Sequence, residues 1–270
     1  MLSFPNAKIN TGLYVTKKRA DGYHNLESIF LPVPLYDILE IVPSDKPARL
    51  CITGLDVDGI KEENLVFKAW KLLHEDFGLP GVKINLHKLI PAGSGLGGGS
   101  ADAANCLLNL NKQFNLALTE NELIDYALKL GSDCPFFIKN KPVLAYGRGE
   151  IMEEIPLDLS GNYILLVFPG IHVSTAEAFK GIEPNKAGFD LKQLPSLPQQ
   201  EWKHRIQNDF EKQIFKKYPA LADIKNKMYE SGAWYAQMSG SGSTMYGFFA
   251  GKPDLKTDFA GMTYKLLYYS

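Results

Sequence analysis

Pro91-Ala92-Gly93-Ser94-Gly95-Leu96-Gly97-Gly98-Gly99-Ser100 places five glycines in seven consecutive positions. Each glycine costs backbone entropy relative to alanine, so packing alone does not account for the run; something there requires bare backbone. Upstream, Val82-Lys83-Ile84-Asn85-Leu86-His87 alternates apolar and polar residues, the period of a half-buried strand. Downstream, Ala101, Ala103, Ala104, Leu107, Leu108 and Leu110 recur at helical spacing, with Ser100 and Asp102 placed to cap the start. A strand feeding a glycine loop that opens a helix gathers several N–H groups and the positive end of a helix dipole at one point. That is an anion site suited to phosphate. A flexible linker or tight turn is the alternative, but this run sits between a clean strand and a capped helix.

Three familiar phosphate loops do not fit. A Walker A loop needs a lysine after its glycines, and none follows here. Gly93-x-Gly95-x-x-Gly98 has the dinucleotide-binding spacing, but no second strand ends in an acidic residue about 20 positions on. Glu120 lies near that distance, yet it belongs to the start of a helix announced by the capping box Thr119-x-x-Glu122. A protein kinase would carry a valine after the loop and a His-Arg-Asp triplet, and both are missing.

Moving outward, helices are predicted from Asn64 to about Phe77, stopping at Gly78, and from Thr119 to Gly131. Strands are predicted near 7–15, 26–33, 36–42 and 49–53, so strands and helices are partly segregated and the fold class is α+β. Gly, Glu and Pro punctuate 147–162 before a new strand at Tyr163–Phe168, which suggests a division into domains 1–155 and 156–270. The second half offers a helix broken by Pro219, then strands at 234–238, 244–249 and 263–269, consistent with helices on a small antiparallel sheet. The segment 183–198 reads as a loop insertion.

Lys and Arg number 29 against 30 Asp and Glu, a net charge of −1 without a basic block, so no nucleic-acid partner is expected. The longest apolar runs fall far short of the roughly 20 residues that span a bilayer, and residues 1–6 lack the pattern of a secretory leader. A cytoplasmic location with no membrane partner is the resulting expectation. Cys51, Cys106 and Cys134 form no CxxC pair and read as small buried side chains. The five histidines never fall at metal-ligand spacing, and no metal site built from protein side chains is predicted.

The loop resembles the second motif of the GHMP kinases, Pro-x-x-x-Gly-Leu-Gly-Ser-Ser-Ala-Ala with small variations. Its extra glycine and its Asp102-Ala103-Ala104 ending are similar to the branch that phosphorylates 4-diphosphocytidyl-2-C-methyl-D-erythritol. Other segments resemble that branch in order along the chain: Pro5-Asn6-Ala7-Lys8-Ile9-Asn10, Arg19-Ala20-Asp21-Gly22-Tyr23-His24, Gly131-Ser132-Asp133-Cys134-Pro135-Phe136-Phe137 and Gly147-Arg148-Gly149-Glu150. Val173-Ser174-Thr175 with Phe179, Asn208-Asp209-Phe210-Glu211 and Met238-Ser239-Gly240-Ser241-Gly242-Ser243-Thr244 follow. Two positions depart from the pattern: Ala101 stands where a second serine is common, and Cys134 replaces a usual valine.

The resemblance implies a two-domain fold, with an N-terminal domain of the ribosomal protein S5 domain 2-like type and a C-terminal α+β domain. It implies an ATP-dependent small-molecule kinase of the non-mevalonate isoprenoid route, with Mg²⁺ accompanying the nucleotide and no obligate protein partner. Asp133 is expected as the catalytic base and Lys8 as its charged neighbour. Pro91, Ala92, Gly93, Ser94, Gly95, Leu96, Gly97, Gly98, Gly99, Ser100 and Ala101 would bind the ATP phosphates, and Asn64, Leu65 and Lys88 the nucleoside. Asn10, Tyr23, His24, Thr175 and Phe179 would hold the cytidylated substrate. Taken without the resemblance, Asn64 reads as a helix cap, Asp133 as a turn or cap residue, Lys8 as a solvated strand lysine and Phe179 as core. Two alternatives remain: another GHMP kinase acting on homoserine or a mevalonate derivative, and an inactive nucleotide-binding relative. The aromatic pair Tyr23-His24 argues against the first, since an acceptor without a base has no use for it; retention of both Lys8 and Asp133 argues against the second.

Overall fold

The computed structural model describes residues 1–57, 59–255, 259 and 261–269. A short β1 (Leu2–Ser3) leads into two long strands, β2 (Asn6–Lys18) and β3 (His24–Tyr36), joined by a turn in which Arg19 N–H donates to the Tyr23 carbonyl. β4 (Ile38–Pro43) and β5 (Arg49–Gly54) precede α1 (Leu65–Phe77), which is capped by the Asn64 side chain at one end and by left-handed Gly78 at the other. β6 (Val82–Lys88), the glycine loop and α2 (Gly98–Gln113) come next, then α3 (Glu120–Leu130) with its full Thr119/Glu122 capping box, and α4 (Cys134–Lys139). A hairpin of β7 (Val143–Tyr146) and β8 (Ile151–Glu154) leads to β9 (Tyr163–Phe168) and α5 (Thr175–Phe179). The remainder is α6 (Gln199–Arg205), α7 (Glu211–Lys217), α8 (Pro219–Glu230), β10 (Tyr235–Met238), β11 (Met245–Phe249) and β12 (Thr263–Tyr268). Strands and helices are grouped, as α+β requires.

The chain divides into two compact units that interleave in sequence. The first comprises Met1–Lys8, Leu35–Ala92 and Gly97–Lys141; the second comprises Ile9–Pro34, Gly93–Leu96 and Pro142–Ser270. Contacts therefore divide the chain differently from a single cut near residue 155, because β2 and β3 each run through both units.

In the first unit a four-stranded sheet, ordered β1-β4-β6-β5, pairs β4 antiparallel and β5 parallel to β6. Leu39, Ile41, Ile84 and Leu86 from the sheet pack against Leu73 of α1 and Leu107 and Leu110 of α2 in one core. Burying side chains of this size contributes about 1.5–3 kcal/mol each. Along β6 the inward positions are Val82, Ile84, Leu86 and then Lys88, so the apolar face of the strand ends in a buried lysine.

The second unit holds the sheet β2-β3-β7-β8 and an antiparallel sheet β10-β11-β9-β12. β9 is central in the latter, and Ile164–Val167 are all buried, which is why its sequence is a continuous apolar run rather than an alternating one. Leu13, Val15, Leu165, Val167, Phe210, Ile214, Leu221 and Met245 form its core.

Four expectations change. Ser100 and Asp102 do not cap α2: the cap is Gly97 in the left-handed region, without a side-chain bond, and both residues lie inside the first turns. The punctuated stretch from 147 carries part of a hairpin, hidden because its strands are only four residues long and their turn is set by Gly147 and Gly149 at positive φ. Segment 183–198 is anchored rather than bare loop, since Leu191 and Leu194 are buried. Cys106 and Cys134 are buried, but Cys51 is exposed on the edge strand β5.

Candidate active site

The glycines of the phosphate loop serve separable needs. Gly93, Gly95 and Gly97 take φ of +63°, +80° and +69°, a region that side chains avoid. At Gly95 a Cβ would also fall 2.3 Å from the Ser239 carbonyl oxygen, and at Gly98 one would fall 2.8 Å from Ile90 Cγ2. Gly99 is different: it is exposed, and a Cβ there would meet no protein atom within 4 Å. It borders a cavity of about 420 Å³ with Gly54, Leu55, Asn64 and Leu65. The first amide to bond within α2 is Ala101 N–H, to the Gly97 carbonyl at 2.9 Å. The amides of Gly98, Gly99 and Ser100 precede it and have no helical acceptor, the kind of helix end that suits an anion. Ala101 itself is fully buried and its amide is spent, which leaves it a packing role.

Lys8 and Asp133 meet in the first unit. Lys8 is 4% exposed on β2, and its Nζ lies 3.2 Å from Asp133 Oδ2. Asp133 occupies the N-cap position of α4, yet its side chain makes no capping bond; it turns to the lysine instead, with a third of its surface open. The phosphate loop touches this pair directly, because a Cβ on Gly97 would come within 3.1 Å of Lys8 Cγ and 3.2 Å of Lys8 Cε. A carboxylate, an ammonium and a helix N-terminus thus converge where a hydroxyl could lose its proton while charge collects on a phosphoryl group.

Known proteins resemble this chain in sequence and in fold. The family described as GHMP kinases N terminal domain matches residues 64–141, and GHMP kinases C terminal matches 194–263. The 4-diphosphocytidyl-2-C-methyl-D-erythritol kinase of Bacteroides fragilis (strain YCH46) is 49% identical over 263 residues, covering 96% of each chain. The chain belongs to the GHMP kinase family, in that enzyme's branch. A crystal structure of 4-(cytidine 5'-diphospho)-2C-methyl-D-erythritol kinase is similar at a TM-score of 0.75 and 32% identity, covering 92% of this chain and 89% of the other. Homoserine kinase from Cytophaga hutchinsonii shares the fold, with a TM-score of 0.70 at 17% identity over 98% and 95% of the two chains.

The remaining candidates are those expected at the nucleoside and at the acceptor. Asn64 Oδ1 accepts from Val66 N–H at 2.9 Å, so its side chain caps α1 while the residue also lines the 420 Å³ cavity beside Leu65. Lys88 is turned away from that cavity: its ammonium is buried between Asp37 and Asp102, bonded to the former and 2.7 Å from Asp102 Oδ2. Asp37 Oδ1 also accepts the amides of Leu89 and Ile90, the two residues before Pro91. Burial alone would push the Lys88 pKa down, but the two carboxylates outweigh it and hold it above the ordinary lysine value. Burial pushes the Asp102 carboxyl up to about 7, against the pull of Lys88 and with the Asp37 charge adding to the rise. Asp102 Oδ1 is buried without a hydrogen-bond partner. Asp37 has no local signal in the sequence, and Asp102 reads there only as a helix cap; the inward parity of Lys88 on β6 is what points to both, since a lysine on a core face needs a counter-charge.

In the second unit the His24 ring stacks on Phe179 at 5.0 Å and 16°. Tyr23 stands beside them 57% exposed, with the Arg148 guanidinium 5.1 Å above its ring. Thr175 is exposed at the first position of α5. Asn10 is buried and donates to Ser28 Oγ, while its backbone N–H donates to Ser239 Oγ. Ser239 Oγ in turn donates to the Gly95 carbonyl at 2.8 Å, and Thr244 N–H donates to the Ser94 carbonyl, so the serine-glycine loop 239–243 braces one arm of the phosphate loop. The two loops are thereby one structure in this unit, which the sequence alone could not join.

Proposed function

We propose that this GHMP kinase transfers the γ-phosphoryl group of ATP to the 2-hydroxyl of 4-diphosphocytidyl-2-C-methyl-D-erythritol, a step toward isoprenoid precursors. The observation that carries the reading is the Lys8–Asp133 pair lying against Gly97 of the phosphate loop. Asp133 takes the proton of the tertiary hydroxyl as that oxygen attacks the γ-phosphorus, and the bond to ADP breaks. Lys8 holds Asp133 in an ion pair and offsets the negative charge spreading over the transferred group. The amides of Gly98, Gly99 and Ser100 hold the phosphates, and the cavity bordered by Asn64, Leu65 and Gly99 receives the nucleoside. The acceptor's cytosine stacks on the aromatic group of Tyr23, His24 and Phe179, and Asn10 and Thr175 serve the rest of that substrate.

Magnesium enters this reading with the nucleotide. Among the described residues no group of three or more His, Cys, Asp or Glu side chains is placed to hold a metal ion. When bound, magnesium would neutralise charge between the β and γ phosphates. We assign residues 1–155 to the N-terminal kinase domain and 156–270 to the C-terminal one, with work in the cytoplasm. No helix among the described residues is long and apolar enough to cross a membrane.

ADP release measured with ATP and Mg²⁺ tests the assignment, with 4-diphosphocytidyl-2-C-methyl-D-erythritol, homoserine and mevalonate offered in turn. Turnover is expected with the cytidylated acceptor alone. Equal or better turnover of either other alcohol would overturn it.

A further inference from the structure

Asn208-Asp209-Phe210-Glu211 has no part in the chemistry above, yet Asn208, Phe210 and Glu211 each touch a direct neighbour of a candidate site residue or such a residue itself. The segment is buried, with Asn208 3% and Phe210 2% exposed, and Asn208 pairs with Leu13 through a lone bridge beside β2. The Asn208 carboxamide donates to two carbonyls, Met238 O and Gly240 O, each at 2.9 Å. Its own Oδ1 accepts the Phe210 amide at 3.0 Å, which fixes the orientation of the group. Glu211 Oε1 accepts the Met238 amide at 2.8 Å and its other oxygen is held by Lys225. Ser239 is therefore gripped on both sides, and it is Ser239 that bonds to Gly95 of the phosphate loop.

Phe210 leads elsewhere. Its ring packs edge-to-face on Phe179 at 4.9 Å, and Phe179 is the ring on which His24 stacks. Asp209 completes the motif by accepting the Val15 amide at 2.7 Å, which ties the segment to β2. One four-residue turn thus holds two separate contacts: a polar relay, Asn208 to Gly240 and Ser239 to Gly95, and an aromatic relay, Phe210 to Phe179 to His24.

We propose that Asn208 and Phe210 are positioning residues, Asn208 for the nucleotide phosphates and Phe210 for the cytosine of the acceptor. The assignment rests on the proposed function for the identity of the two ligands. It gives the motif a divided role: loss of the polar relay loosens the Gly93–Leu96 arm, which keeps its Thr244 bond, and leaves the aromatic stack in place, while loss of the aromatic relay loosens the stack and leaves the arm.

Calorimetric titration separates the two arms without relying on turnover. A non-hydrolysable ATP analogue with Mg²⁺ is titrated first, and CDP second into protein saturated with the analogue. Asn208→Ala is expected to weaken the analogue about 10-fold, the effect of one or two lost hydrogen bonds, while CDP stays within about twofold. Ser239→Ala, a smaller change that cuts the same relay one step later, is expected to do likewise and serves if Asn208→Ala does not fold. Phe210→Leu is expected to weaken CDP about 5- to 10-fold and leave the analogue within about twofold. Equal weakening of both ligands in every variant, or a lowered Tm with both affinities unchanged, would overturn the proposal. Wild-type protein that binds the analogue but not CDP would sink the acceptor assignment and with it the Phe210 arm, while the Asn208 arm stands or falls on the analogue alone.

Discussion

The first unit contains two buried lysines with aspartate partners, and their surroundings give them opposite work. Lys88, at the inward end of β6, is enclosed by Asp37 and Asp102, themselves almost wholly buried. Every charge in that cluster faces another, and Asp37 also holds the amides of Leu89 and Ile90, so the cluster fixes the chain on both sides of the glycine loop. Lys8 is as buried as Lys88, but its partner Asp133 has a third of its side chain open and no capping bond to satisfy it. A closed ion cluster is structure; a half-open one next to a helix N-terminus is available for proton transfer. On the proposed function, partner exposure, rather than burial of the lysine, separates a scaffold from a reactive group.

The comparison breaks most easily at Lys88. Lys88→Met leaves two carboxylates buried without a cation, and the variant should lose about 3–5 kcal/mol of folding stability in urea titration. A loss no larger than that of a surface lysine would remove the structural role. Lys8→Met is the counter-test: kcat should fall about 100- to 1,000-fold, as when one charge-stabilising donor is removed, at a stability cost of about 1 kcal/mol or less. A collapse of stability with little change in kcat per folded molecule would reverse the two assignments.

A smaller effect sharpens the comparison within the closed cluster. Asp102 has a folded pKa of about 7 against an ordinary 3.8, so between those values the folded state binds more protons than the unfolded one. The stability this proton contributes is complete below the unfolded pKa and is lost as pH rises through about 7. Asp102→Asn, which leaves Lys88 paired one-to-one with Asp37, should flatten that decline. Above pH 7 it should equal or exceed the parent by on the order of 1–3 kcal/mol, read as Tm against pH. An unchanged slope would mean that Asp102 is ionised throughout.

Much of this was legible in the residues. The alternation of Val82–His87, the glycine run and the alanine-leucine spacing after it gave the strand, loop and helix of the phosphate site, and the boundaries of α1 and α3 follow from their caps. The two four-residue strands around Gly147 did not show, because so short a segment carries no period to read. Among the site residues, Lys8 and Asp133 lie 125 positions apart and no local pattern joins them; only the family resemblance implies the pairing, and in the structure the two lie 3.2 Å apart. Lys88 was assigned to the nucleoside, whereas its ammonium serves Asp37 and Asp102. The reason is a long-range charge balance on a core face, which depends on which strands and helices come together and so is not written in the neighbourhood of residue 88.

Single-turnover ADP formation by Asp133→Asn addresses the reactive pair most directly, with ATP, Mg²⁺ and the cytidylated acceptor all saturating and affinity for the ATP analogue measured in parallel. The substitution keeps the size of the side chain and a hydrogen-bonding oxygen for Lys8 but removes its ability to take a proton. The rate should fall about 100- to 10,000-fold with nucleotide affinity changed by no more than about threefold. A variant that retains half or more of the parent rate would show that the hydroxyl loses its proton to something other than Asp133.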